Sequence, residues 1–145
     1  MGYVPKDARW FVAELVVEIK VDEDLRNVVH VNMVLVNADS AEDAYARALE
    51  LGATYGSVGV NEAGHAIVTT FLGLRDLWVM HDVPAHGAEV IFEEKVGVER
   101  KELQALITSK SELTIFTTWQ PPSDETPDYA SGWIVREMRK ETDVN

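Results

Sequence analysis

The sequence predicts a two-layer α+β fold: an antiparallel sheet of about five strands with one main helix on one face, plus a C-terminal helix and arm. Three observations carry this expectation. From Trp10 to Val21 the residues Phe11, Ala13, Leu15, Val17, Ile19 and Val21 are all apolar, while Glu14, Glu18 and Lys20 between them are charged. That alternation marks a strand with one buried face. A second run with Val29, Val31, Met33 and Leu35 on one side follows a short polar turn at Asp22–Asn27, which reads as an antiparallel hairpin. Over Ser40–Gly52 the period changes to that of a helix.

The helix has its signals at both ends. Ser40 is a good N-cap, and Asp43 stands three residues later, where a capping-box carboxylate would reach back. Glu42 and Asp43 in the first turn complement the helix dipole. Gly52 suits a left-handed C′ position. Ala41, Ala44, Tyr45, Ala48 and Leu51 form one apolar face, small enough to lie close against a sheet.

Beyond the helix, Ser57–Asn61 and His65–Leu72 flank Glu62-Ala63-Gly64, a hairpin turn with glycine where φ is positive. Gly73 interrupts a strand-like run from Ile67 to Met80, so a bulge or bend is expected there. A loop with Pro84 and Gly87 leads to a further strand at Glu89–Val96. Glu99–Thr108 reads as a short second helix with Leu103, Leu106 and Ile107 on one side. Leu113–Trp119 is rich in β-formers and reads as a strand. Residues 1–120 then form a single domain. Residues 121–145 form a proline-rich linker and an amphipathic arm around Trp133, docking on the domain or on a second subunit.

Four stretches place residues from Trp10 to about Val96 in a known pattern: Trp10–Leu15, Ser40–Gly52, Phe71–Leu77 and Gly87–Val90. In order and spacing they resemble a bacterial family known as domain of unknown function 4288. That family brings no established activity and no catalytic residue. The resemblance does imply that Gly73 and Asp76 are structural features of a shared fold.

Charge narrows the partners. The 145-residue chain carries 25 acidic and 13 basic side chains, a net charge of −12. Nucleic acid and anionic membranes attract Lys and Arg, so neither fits. A basic protein partner does, because complementary charge speeds encounter. Acidity is also a common route to solubility. No apolar run reaches the roughly 18 residues of a membrane helix. A cytoplasmic location is the expectation. The chain has no cysteine, which removes thiolate metal sites and a cysteine nucleophile.

Constellations that carry chemistry are sparse. His81, Asp82 and His86 share one loop and are weak candidates for a divalent metal, though their spacing matches no metal motif. Glu14 with Glu18, and Glu93 with Glu94, are paired carboxylates of the kind used in acid–base work, but at these strand positions they are expected to meet water. No Gly-x-Ser-x-Gly elbow, dinucleotide fingerprint or phosphate loop is present, so no cofactor is expected. The remaining candidate is a surface. If the helix covers the odd residues of the first two strands, the even face carries Trp10, Val12, Glu14, Val16, His30, Asn32, Val34 and Val36. That face is too apolar to be simply solvated. Trp10, Glu14, His30, Asn32 and Trp133 are therefore the candidate ligand or partner residues. The expected function is a non-enzymatic protein-binding module, in one concrete form an immunity-type or inhibitor protein for a basic partner, with a homodimer through the same face as a further expectation. The alternative is a small enzyme or small-ligand domain with a pocket between sheet and arm.

Overall fold

The computed structural model describes residues 3–118 and 125–130. Strand β1 (Trp10–Val21) and strand β2 (Asn27–Asn37) form the predicted hairpin, in one unbroken antiparallel register from Lys20–Asn27 to Trp10–Asn37. Helix α1 (Ala41–Ala53) follows, then β3 (Ser57–Val60) and β4 (Ala66–Met80). Among the described residues the sheet has four strands in the order β2-β1-β4-β3, all antiparallel, which places β1 in the interior.

Helix α1 begins where the sequence says it should. The Asp43 amide donates to Ser40 Oγ at 3.0 Å, and the Asp39 amide donates to Asp43 Oδ2 at 3.1 Å. This closes a reciprocal cap shifted by one residue from the usual box. Arg47 Nε also donates to Asp43 Oδ2 at 3.0 Å, and these contacts hold the Asp43 carboxyl below its ordinary range, the Asp39 amide contributing most. The far end differs from expectation. Gly52 lies inside the helix, which ends at Thr54 in right-handed geometry with Thr54 Oγ1 donating to the Leu51 carbonyl. Gly52 is buried, and a Cβ there would run into the Phe71 ring. Its role is close approach to the sheet.

Ala44, Ala48 and Gly52 seat α1 on Phe11, Ala13, Leu15, Val36 and Ala38. A second cluster of Val17, Ile19, Val21 and Ile67 continues the core along the same side, joined by Val28, Tyr55 and Phe71. Tyr45 and Leu51, expected on the apolar face, are exposed.

Strand β4 bends as Gly73 predicts. Its pairing with β1 shifts twice, so that Leu72 and Arg75 become extra residues without a partner on β1. Gly73 sits between them at φ 149°, open to a residue with no Cβ. The 62–64 turn has Gly64 at φ 86°, as expected.

Two of the stretches read as strands do not form strands among the described residues, and the sheet there has four where about five were expected. At Glu89–Val96 the chain is irregular. Val90 and Phe92, which an extended chain would place on one face, are both exposed here. They pass Leu77–Val79 of β4, whose Leu77 amide is already taken by Asp76 Oδ1 at 2.8 Å. The described part of the Leu113–Trp119 stretch, to Thr118, holds a 3-10 turn at Thr114–Phe116, preceded by another at Lys110–Glu112. Thr117 Oγ1 donates to the Thr114 carbonyl at 2.7 Å. With no strand alongside, such local bonds prevail over β propensity. The second helix, α2 (Arg100–Leu106), forms but buries no side chain. No helix among the described residues is long and apolar enough to cross a membrane.

Candidate functional site

The faces of the sheet follow from the hairpin. Five residues, Asp22–Arg26, connect β1 to β2, and the Lys20–Asn27 pairing makes even residues of β1 share a side with odd residues of β2. Expecting odd with odd was therefore wrong by one residue of turn, and a slip of one turns every side chain over. Helix α1 covers odd β1 and even β2. Val34 and Val36 belong to that core side. His30 and Asn32 lie on it too, opposite Val17 and Leu15. His30 meets Tyr129 edge-on with ring centroids 5.3 Å apart, and the Asp128 carbonyl accepts from Asn61 Nδ2 at 3.2 Å. Residues 127–129 thus reach the helix side of the sheet, where Pro127 is buried. Trp133 lies outside the described residues.

The other side of the sheet, called the open face, carries Trp10, Val12, Glu14 and Val16 from β1. Beside them stand Leu35, Met33, Val31 and Val29 from β2, and Trp78 and Met80 from β4. Glu14 is its centre. It was expected to meet water, yet it is 4% exposed. Trp78 Nε1 donates to one carboxylate oxygen, while Arg75 Nε donates to the other at 2.9 Å and its terminal amine closes the same ion pair. The Trp78 hydrogen bond, then the Arg75 hydrogen bond and charge, outweigh burial and hold the Glu14 carboxyl below its ordinary range. The bulge at Arg75 is what brings this guanidinium to Glu14, as an extra residue in β4. Sequence reasoning missed both partners. The available signal was an acid inside one long strand and a lone arginine inside another.

Part of the open face is roofed. Pro84, Ala85, Ala88 and Val90 form a cleft with Val12, Met33, Leu35 and Met80. Beside it a cleft of about 300 Å³ runs along β4, between Trp78 and Val79 on one side and Tyr3, Val4, Glu89 and Phe92 on the other. A groove at the sheet's end brings Trp10, His81 and Asp82 together. Asp82 Oδ2 accepts from the Glu89 amide at 2.9 Å and so caps its own loop. His81 and His86 are exposed, and among the described residues no group of three His, Cys, Asp or Glu is set to hold a metal ion. Glu18 accepts from Asn27 Nδ2 at 2.8 Å, and Glu93 pairs with Lys95 at 2.8 Å.

What fold and face define is a small α+β domain: a bulged four-stranded antiparallel sheet, one helix packed through small residues on one side, a half-roofed apolar face on the other. The chain belongs to the family Domain of unknown function (DUF4288), whose profile matches residues 10–92, more than half of its length. The matched region runs from the first residue of β1 to the segment roofing the open face. No curated protein and no solved structure matches the chain.

Proposed function

We propose that the protein is a non-enzymatic binding module that takes another protein on its open sheet face. The observation that carries this is a row of apolar side chains left in water beside an internally satisfied charge. Val29, Met33 and Leu35 are 51%, 54% and 45% exposed, and Trp78 is 41% exposed. Contiguous apolar surface of this kind is a recurrent feature of interaction sites. Glu14, Arg75 and Trp78 satisfy one another beneath it, so the face has no unpaired charge at its centre to desolvate on binding. Around it, a net charge of −12 favours a basic partner, and an immunity-type or inhibitor protein is the concrete form of this reading. A pull-down from the native host at low salt, with the parent and a Met33→Glu variant in parallel, tests it. The reading requires a basic protein that is retained by the parent, eluted by salt and lost from the variant. A parent that retains nothing sinks it.

The cleft along β4 supports a second reading, a small-ligand domain. Its volume of about 300 Å³ is at the lower end of the range for ligand pockets. Its walls are apolar, with His81 and Glu89 as polar groups. It lies between β4 and the Glu89–Phe92 segment, away from the sheet–arm position expected from the sequence. Trp78 fluorescence, read against a panel of small aromatic and aliphatic ligands, distinguishes this reading from the first.

A further inference from the structure

A sheet with four strands in the order β2-β1-β4-β3 has two outer strands, and part of β4 is uncovered as well. Exposed edges present unpaired amides and carbonyls, and natural sheets blunt them with charges, proline, bulges or brevity. Strand β3 is four residues long and pairs only with Ala66–Thr69 of β4. The rest of β4 is blunted three times over. It has two bulges, the charged residues Arg75 and Asp76 within the strand, and an Asp76 carboxylate that occupies the Leu77 amide.

Strand β2 has none of these devices. Its eleven residues, Asn-Val-Val-His-Val-Asn-Met-Val-Leu-Val-Asn, include no Asp, Glu, Lys, Arg, Pro or Gly. Its pairing with β1 runs without a shift from end to end. Among the described residues no strand lies on its outer side. Charge makes the omission more pointed. A chain with a net charge of −12 repels its own copies, and β2 is a stretch of surface where two copies meet without opposing formal charges. Each end of the strand is closed by an ion pair, Asp24 with Arg26 and Arg9 with Asp39. An antiparallel neighbour would therefore set the acid and base of one pair beside those of the other.

We infer that two copies of the chain pair antiparallel through their β2 edges, about a two-fold axis at Asn32, making one continuous eight-stranded sheet. The register follows from the strand itself. Like faces stay together only if paired residues have the same parity, and full overlap of Asn27–Asn37 with its copy puts Asn32 opposite Asn32. Val29 then stands opposite Leu35 of the second copy, and Val31 opposite Met33. The half-exposed apolar row of the open face gains cross-strand neighbours. On the helix side Val28 meets Val36, and His30 meets Val34. The seam does not depend on whether the open face takes a foreign partner.

The absence of cysteine makes the test direct. Opposed Cα atoms in an antiparallel pair lie about 4.5–5.5 Å apart, within disulfide reach. In the full-length chain, Asn32→Cys should form a disulfide-linked dimer under mild oxidation where Ala63→Cys, in the exposed β3–β4 turn, stays monomeric. Light scattering on the parent should give twice the chain mass, and Asn32→Lys, which sets two ammonium groups face to face, should give the monomer with an unchanged circular dichroism spectrum. A monomeric parent whose Asn32→Cys variant cross-links no faster than the Ala63→Cys control overturns the inference. So does a parent that becomes dimeric only when truncated after Ala130, since the chain's own C-terminal segment would then hold the edge.

Discussion

A carboxylate in the middle of a strand and 4% exposed must be held by something, and Glu14 is held by Trp78 and Arg75. Its pKa is depressed on folding, so the stabilisation is fully present above the ordinary glutamate value of 4.5 and is lost as pH falls through the folded value. Glu14→Gln keeps the shape and removes the charge. At neutral pH it should cost about 1–2 kcal/mol, because Arg75 is more than half exposed and water screens the ion-pair share. The difference from the parent should shrink as the pH is taken below the ordinary glutamate value. Urea melts across that range check it, and two parallel stability curves would mean that the charge of Glu14 contributes nothing. None of this was legible in the sequence. Glu14 and Glu18 are equivalent in the alternation pattern, and only the bulge that delivers Arg75, together with Trp78 opposite Val12, separates a buried acid from a half-buried one.

At the level of elements, β1, β2 and α1 were legible because each is written in a local period: alternation in the strands, Ser40 and three alanines in the helix. The relation between elements was not. Which side of β2 faces α1 depends on whether the turn at Asp22–Arg26 has an odd or even number of residues, and the more apolar side, with Val29, Val31, Met33 and Leu35, is the one turned away. Gly52 was misread for a similar reason. Nothing local says that Phe71, far along the chain, lies against it. On an open helix surface Gly→Ala gains about 1 kcal/mol. Here Gly52→Ala should instead lower the melting temperature, through an overpacking cost of about 1–3 kcal/mol. Gly52→Ala with Phe71→Leu should recover part of the loss. A single variant that melts higher than the parent would show that the helix does not depend on this close approach.

For the whole molecule, the segment at 127–129 ties the end of the described chain to its middle, through Pro127, the Asp128 carbonyl on Asn61 and Tyr129 on His30. Truncation after Gln120 removes all three contacts and uncovers His30, opposite Val17 on the sheet, so its thermal midpoint should fall by several degrees. An unchanged midpoint would mean that the tail adds nothing to the fold. By contrast α2 and the 3-10 turns beyond it bury no side chain, and alanine at Leu103 or Leu106 in the isolated monomer is expected to leave the midpoint where it is.

The interior position of β1 has a consequence for deuterium labelling. Its amides donate into two ladders, one to β2 and one to β4, so those from Phe11 to Ile19 should exchange with solvent only when the whole sheet opens. On β2, every second amide points away from β1 and exchanges freely in a lone copy. The difference between neighbouring amides along one strand is therefore an internal clock. If alternate β2 amides slow as the protein is concentrated while those of β1 hold their rate, association at that edge is being read residue by residue.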